Sequence, residues 1–299
     1  MANNYKPRKP RNGSSGNKHA SSSPKSGRSR KTRNKKSVFG RYAVYIWTGI
    51  ILVAVAYVGL FYYFFVSPYS FRWKAIYGEP EYPDGYNVRG IDISHYQTSI
   101  KWDKLRNASL NNDPVRFVII KATEGKDLFD DDFNDNFFQA KENDFIRGAY
   151  HFFVPGVDAA AQARFFLHQV HLVPGDLPPV LDIEKTGKLS KKQLQNDVKK
   201  WLDIVEKKYG VKPILYTSYK FKKDYLDDPV FNEYPYWIAH YYINKLEYKG
   251  DWVLWQHTDC GKVDGITGFV DCNIFNGTIQ DLEAFTIKDR EEDLQEAEL

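Results

Sequence analysis

The chain has little sulfur: two cysteines and one methionine in 299 residues. Two cysteines, Cys260 and Cys272, exclude a multi-disulfide framework and a cysteine-based zinc site. No glycine-rich phosphate loop and no His-Glu-x-x-His helix occurs, so phosphate-loop and zincin chemistry have no motif here. No metal and no cofactor is expected. Acidic residues are missing from residues 1–41, which hold 13 of the 42 Lys and Arg. The remainder carries 29 basic and 38 acidic residues, a net charge of −9 beneath the overall +4. A basic tail is thus joined to an acidic body. Charge of either sign is missing from residues 42–66.

These gaps divide the chain. Residues 1–41 have hardly any aliphatic side chains and cannot bury enough apolar surface to fold, so a disordered tail is expected. Such an arm suits nucleic acid or a cytoplasmic topogenic tail. The run that follows favours the tail, and no nucleic-acid partner is expected. Residues 42–66, YAVYIWTGIILVAVAYVGLFYYFFV, would reach about 37 Å as a helix, enough to cross a hydrocarbon core. Aromatics cluster at both ends, as at membrane interfaces. The run is too long for a signal peptide, and Ser67-Pro68-Tyr69 is a poor cleavage site. An uncleaved single-pass anchor follows as the expectation. The N-terminus would lie in the cytoplasm and the body outside it, periplasmic or extracytoplasmic. Residues 67–87, with Pro68, Pro80 and Pro83, read as a linker.

From Val88 onward strands and helices alternate. Candidate strands are 88–93, 115–121, 146–152, 178–184, 212–217, 235–240, 252–257 and 269–273. Helical periodicity fits 132–144, 158–171 and 190–208, with Asp158 and Ser190 as caps and Gly210 as a stop. The pattern predicts an α/β fold over residues 88–285: an irregular, TIM-like barrel of eight parallel-type strands, the last three lacking full helices. Residues 286–299 carry six acids and read as a tail.

The aromatic content, 7 Trp, 21 Tyr and 20 Phe, fits either a core or a sugar site. The acids are more pointed. In Pro178-Pro179-Val180-Leu181-Asp182-Ile183-Glu184 an apolar run ends in two carboxylates. Strand alternation projects Asp182 and Glu184 to one face, at most about 7 Å apart. Like charges so close raise at least one pKa, as a proton donor beside an ionised acid requires. Taken alone, the pair also fits a solvated strand end. Asp92 and Asp271 are expected to end the first and eighth strands, on the same rim. Tyr150, Tyr216, Trp237 and Gln256 stand at four more strand ends.

The segments RGIDISHYQ (89–97), FVIIKATEG (117–125), RGAYHFF (147–153), PPVLDIE (178–184), PILYTS (213–218), YWIAHY (236–241), LWQHT (254–258) and VDCNIFNG (270–277) resemble glycoside hydrolase family 25. These are the lysozymes that act as N-acetylmuramidases on peptidoglycan. The resemblance covers the body and not the tail or the apolar run. It implies an irregular α/β barrel with an acidic groove and peptidoglycan strands as partner. Glu184 would be the general acid and base, and Asp182 would orient or stabilise the substrate's 2-acetamido group. Asp92 and Asp271 match the family's other two active-site acids. Tyr150, Tyr216, Trp237 and Gln256 would line the sugar subsites.

Other readings are weaker. A chitinase-type barrel needs further acids upstream of Asp182, where Pro178 and Val180 stand. A non-catalytic, membrane-anchored wall-binding scaffold would not need the four acids. His95, His151, His240 and His257 lie near the rim and are expected to make hydrogen bonds there rather than hold a metal. Cys260 and Cys272 flank the last strand connection, where either a disulfide or two free thiols fits.

Overall fold

A computed structural model describes residues 38–61, 82–97 and 99–289. Residues 1–37, 62–81 and 290–299 of the expected tail, apolar run, linker and C-terminal tail lie outside the described residues.

Helix α1 spans Val38–Phe61 and so begins four residues before the expected anchor. Its apolar side chains, among them Trp47, Leu52 and Val53, are exposed. Among the described residues, no helix is long and apolar enough to cross a membrane.

The larger unit is a closed barrel. Its strands are β1 (Arg89–Ile93), β3 (Asp113–Glu124), β5 (Ile146–Phe152), β6 (Val180–Asp182), β7 (Ile214–Ser218), β8 (Tyr236–Ala239), β9 (Trp252–Gly261) and β10 (Val270–Phe275). They pair in that order, and β10 closes on β1. Two short strands, β2 (Ser109–Leu110) and β4 (Leu128–Phe129), hang on β3. All eight expected strands are present, with shifted ends.

One expectation is corrected. The barrel is not parallel throughout: β10 runs antiparallel to both β9 and β1. Only residues 262–269 join β9 to β10, and a parallel crossover needs about a dozen residues or more. The chain must therefore turn straight back. Asp271 consequently lies near the start of its strand, not at its end. The reversed direction returns it to the same rim, in register with Asp92.

Outside the barrel stand α2 (Trp102–Leu105), α3 (Phe133–Glu142), α4 (Ala159–Gln169), α5 (Lys191–Tyr209), α6 (Tyr219–Tyr225) and α7 (Ile279–Phe285). The three long ones match the helical periodicity. Asp158 caps α4 by accepting from the Ala161 N–H at 2.7 Å. Ser190 and Gln193 form a capping box on α5, and Gly210 ends it at φ 76°, a left-handed value glycine adopts without strain. The short helices were not legible, because a turn or two shows no periodicity.

Strand alternation divides the core into two layers. Phe117, Ile119, Val180, Ile214, Trp237 and Leu254 fill the barrel interior. The intervening Val118, Ile120, Leu181, Leu215, Ile238 and Trp255 pack outward with Phe166, Val198 and Trp201 of α4 and α5. Phe117 fits because Gly90 faces it: a Cβ at Gly90 would come within 2.3 Å of the Phe117 ring.

Gly90→Ala should therefore overpack the barrel and cost about 1–3 kcal/mol. Chemical denaturation checks this, and an unchanged midpoint would show that Phe117 can move aside.

Candidate active site

The inward parity that fills the barrel with apolar side chains continues upward to polar ones. Above Phe117 and Ile119 comes Lys121, and above Val180 comes Asp182. Tyr216 follows Ile214, and Gln256 follows Leu254. The strand ends thus line a cavity of about 380 Å³. All eight residues singled out from the sequence line it: Asp92, Asp182, Glu184, Asp271, Tyr150, Tyr216, Trp237 and Gln256.

Asp92 anchors one wall. Its Oδ2 accepts from Gln256 Nε2 and from Asn273 Nδ2, each at 2.7 Å. Each donor is itself oriented. Tyr216 donates its hydroxyl to Gln256 Oε1 at 2.7 Å, and Tyr241 donates to the same oxygen. Trp237 Nε1 donates to Asn273 Oδ1 at 2.8 Å. Burial still pushes Asp92 up from 3.8 to about 6, against the hydrogen bonds from Asn273 and Gln256 and with help from the charge of Glu184.

Asp182 is buried, and its Oδ1 makes no hydrogen bond among the described residues. Burial, then the charges of Glu184 and Asp92, hold it well above the ordinary carboxylate range, while Lys121 opposes the shift. Strand β6 stops at Asp182 rather than at 184. The extended course continues nonetheless. The Ile183 N–H donates to the Tyr216 carbonyl at 3.1 Å, and Thr217 Oγ1 donates to the Ile183 carbonyl at 2.7 Å. Ile183 is thereby buried in the helix layer, and Glu184 returns to the cavity.

Glu184 is solvent-exposed as a residue, yet protein walls surround enough of its carboxyl to raise its pKa. Lys185, the nearby Tyr216 hydroxyl and Lys121 oppose that rise. Asp271 is half-buried. Burial and the charges of Asp92, Asp259 and Glu184 push it well up. Four carboxyls share one cavity, and burial and their mutual charge make each harder to ionise than in water.

Sequence reasoning missed Lys121, Glu124, Phe152, Lys185, Tyr241 and Asn273, which line or brace the same cavity. Lys121 Nζ pairs with Glu124 at 2.6 Å. Lys121 and Lys185 lie over the Phe152 ring, at 5.3 and 5.1 Å. Parity was the available signal: Asn273 is two residues past Asp271, and Lys121 two past Ile119.

None of the four rim histidines lines the cavity. His95 pairs with Asp130 at 2.8 Å. His151 faces the helix layer rather than the mouth. It lies between Thr123 Oγ1 and Gln162 Oε1 and stacks on Trp201 at 5.5 Å. Burial lowers its pKa to about 3, so it is neutral. His240 and His257 pack against Tyr219 and Trp255. Cys260 and Cys272 are buried free thiols, and the possible disulfide is not formed.

A barrel carrying clustered acids at one mouth defines a glycoside-hydrolase class of site. The family model for glycosyl hydrolases family 25 matches residues 91–266, and the chain belongs to that family. It is a glycosidase of the lysozyme, or muramidase, type. YegX of Escherichia coli (strain K12) is 47% identical over 204 residues, 68% of this chain and 75% of that protein. Lysozyme M1 of Streptomyces globisporus is 32% identical over 210 residues, 65% of this chain and 70% of that one. The bacterial lysozyme structure from Streptomyces coelicolor superposes with a TM-score of 0.62 at 31% identity. That match covers 68% of this chain and 98% of the other. A family 25 glycosyl hydrolase from Bacillus anthracis gives 0.64 at 28% identity, covering 70% and 98%.

The raised pKa of Asp92 has a consequence for stability. Its ionised form is disfavoured in the fold, so its contribution is greatest below pH 4 and declines as pH rises through about 6. Asp92→Asn should therefore be more stable than the parent at pH 7, by up to about 3 kcal/mol. The difference should vanish near pH 3.5. Denaturation midpoints at both pH values test this, and an equal difference at both would contradict it.

Proposed function

We propose that the chain cleaves the β-1,4 bond between N-acetylmuramic acid and N-acetylglucosamine in peptidoglycan. Glu184 serves as general acid and base, and Asp182 orients and stabilises the 2-acetamido group. One observation carries this reading: Asp182 Oδ1 is buried and unpartnered in the cavity that also holds Glu184. A buried acceptor without a donor is costly until something supplies one. An acetamido N–H is a donor of the right kind.

Glu184, its pKa raised, gives its proton to the glycosidic oxygen as the bond to C1 breaks, and positive charge develops on the sugar ring. The acetamido oxygen closes on C1, and Asp182 steadies the cation through the N–H. Glu184, now ionised, takes a proton from water as that water attacks C1, and the ring opens again to the acetamido group. Asp92, whose pKa of about 6 leaves it ionised at neutral pH, adds negative charge across the mouth, with Asp271 beside it. Tyr150, Tyr216, Trp237 and Gln256 hold the sugar. Attack by a carboxylate would also retain configuration, whereas attack by water alone would invert it. NMR of the anomer released first separates these routes, and the expected outcome is retention.

Glu184→Gln should lower the release of reducing ends from peptidoglycan by about 10²–10⁴-fold. Mass spectrometry of the soluble fragments should show muramic acid at the new reducing ends. Parent protein that binds peptidoglycan and releases none would favour the scaffold reading instead.

We also propose that the uncharged run of residues 42–66 anchors the chain as a single-pass membrane protein. The basic residues 1–41 stay in the cytoplasm and the barrel works outside it, in cell-wall catabolism or remodelling. The uncharged run 42–66 and the exposed apolar side chains of α1 support this. The full chain should sediment with membranes after a high-salt wash, and a chain beginning at residue 67 should not. Full chain released by salt would overturn the anchor.

A further inference from the structure

A second cavity, of about 660 Å³, shares Glu184, Tyr216 and Tyr241 with the acidic one. Its chemistry differs. The acidic cavity adds Asp92, Glu124, Asp182 and Asp271 to Glu184, against Lys121 and Lys185. The second adds Lys220 and Lys223 against Asp224 alone. Lys220 pairs with Asp224, one turn along α6. Lys223 has no carboxylate within ion-pair distance among the described residues, and its Nζ lies 5.5 Å from the centre of the Tyr219 ring. Tyr219 in turn packs on His240 at 5.3 Å and on Tyr248 at 6.0 Å. The result is an aromatic wall topped by a spare cation, a surface suited to a sugar face with an anionic substituent.

From this arrangement we infer that the Tyr219–Lys223 cleft receives the leaving half of the glycan strand and recognises the carboxylates of its stem peptide. The inference rests on the hydrolase reading above. A proton donor must stand at the glycosidic oxygen, between the two sugars it separates. Glu184 is shared by the two cavities. The sugar whose acetamido group meets Asp182 occupies the acidic cavity, so the sugar that leaves occupies the other. Beyond the leaving N-acetylglucosamine comes the next muramic acid, which carries a peptide with free carboxylates. A cationic wall there attracts that peptide, while the acidic cavity repels it, so the charge contrast also sets the direction in which the strand lies.

The test compares glycan strands of one length with and without stem peptides, the latter stripped by an amidase and their exposed lactyl carboxylates then converted to amides. The full chain should prefer the peptide-bearing strand by at least about threefold in kcat/KM at low salt, the scale of one or two exposed ion pairs. The preference should fade as salt rises. The Lys220→Gln/Lys223→Gln double variant, altered only at exposed positions, should bring the ratio of the two substrates close to one. Equal rates for the parent, or a ratio kept by the double variant, would overturn the inference while leaving hydrolysis intact. Binding to the Glu184→Gln chain provides an independent readout. A peptide preference in affinity that depends on the two lysines, in a parent that cleaves neither strand, would uphold the cleft and refute the hydrolase reading.

Discussion

Carboxylates forced together at the mouth of a closed barrel are the constraint on which the site depends. Asp92 and Asp271 are register partners on adjacent antiparallel strands, and Asp182 is buried on the far side of the same cavity. Their repulsion opposes folding, so the surroundings must hold them in place. Asp92 is held by two amide donors, and those amides are fixed by Tyr216, Tyr241 and Trp237. The aromatic residues of the mouth therefore form the frame of the acids. Lys121, locked to Glu124, supplies a cation that limits how far the pKa values of Asp182 and Glu184 rise. The balance leaves Asp182 Oδ1 buried without a hydrogen-bond partner among the described residues.

The barrel delivers these groups through one geometric rule. Inward-facing residues recur every second position, so the strands that bury Phe117, Ile119 and Ile214 also aim Lys121 and Tyr216 at the mouth. Closure depends on the last strand. Because residues 262–269 are too few for a crossover, β10 returns antiparallel, and Asp271 arrives from the opposite direction. The same reversal brings Asn273 beneath it to bond Asp92 and Trp237. A short loop thus sets both the topology and the hydrogen bonding of the site.

Much of this was legible in the residues. Asp158, Ser190 and Gly210 marked the ends of α4 and α5, because capping is local chemistry. The pair Asp182 and Glu184 was legible because strand alternation is local too. The short helices α2, α6 and α7 were not, since a few residues carry no period. The direction of β10 was not read either, although the length of its loop implied it. The histidines illustrate the limit: His151 is near the rim in sequence terms, yet its parity turns it outward onto Trp201, away from the acids.

The sequence by itself determined which acids and aromatics stand at the strand ends and which face of each strand they share, because both follow from residue type and a two-residue repeat. It also determined the uncharged run at 42–66. Tertiary structure alone decided how those faces meet. It put Gln256 and Asn273 on one oxygen of Asp92, left Asp182 Oδ1 unpartnered, and opened a second cavity beside Glu184. Those outcomes depend on strands far apart in the chain, such as Asp92 and Asn273, whose approach only closure of the barrel produces.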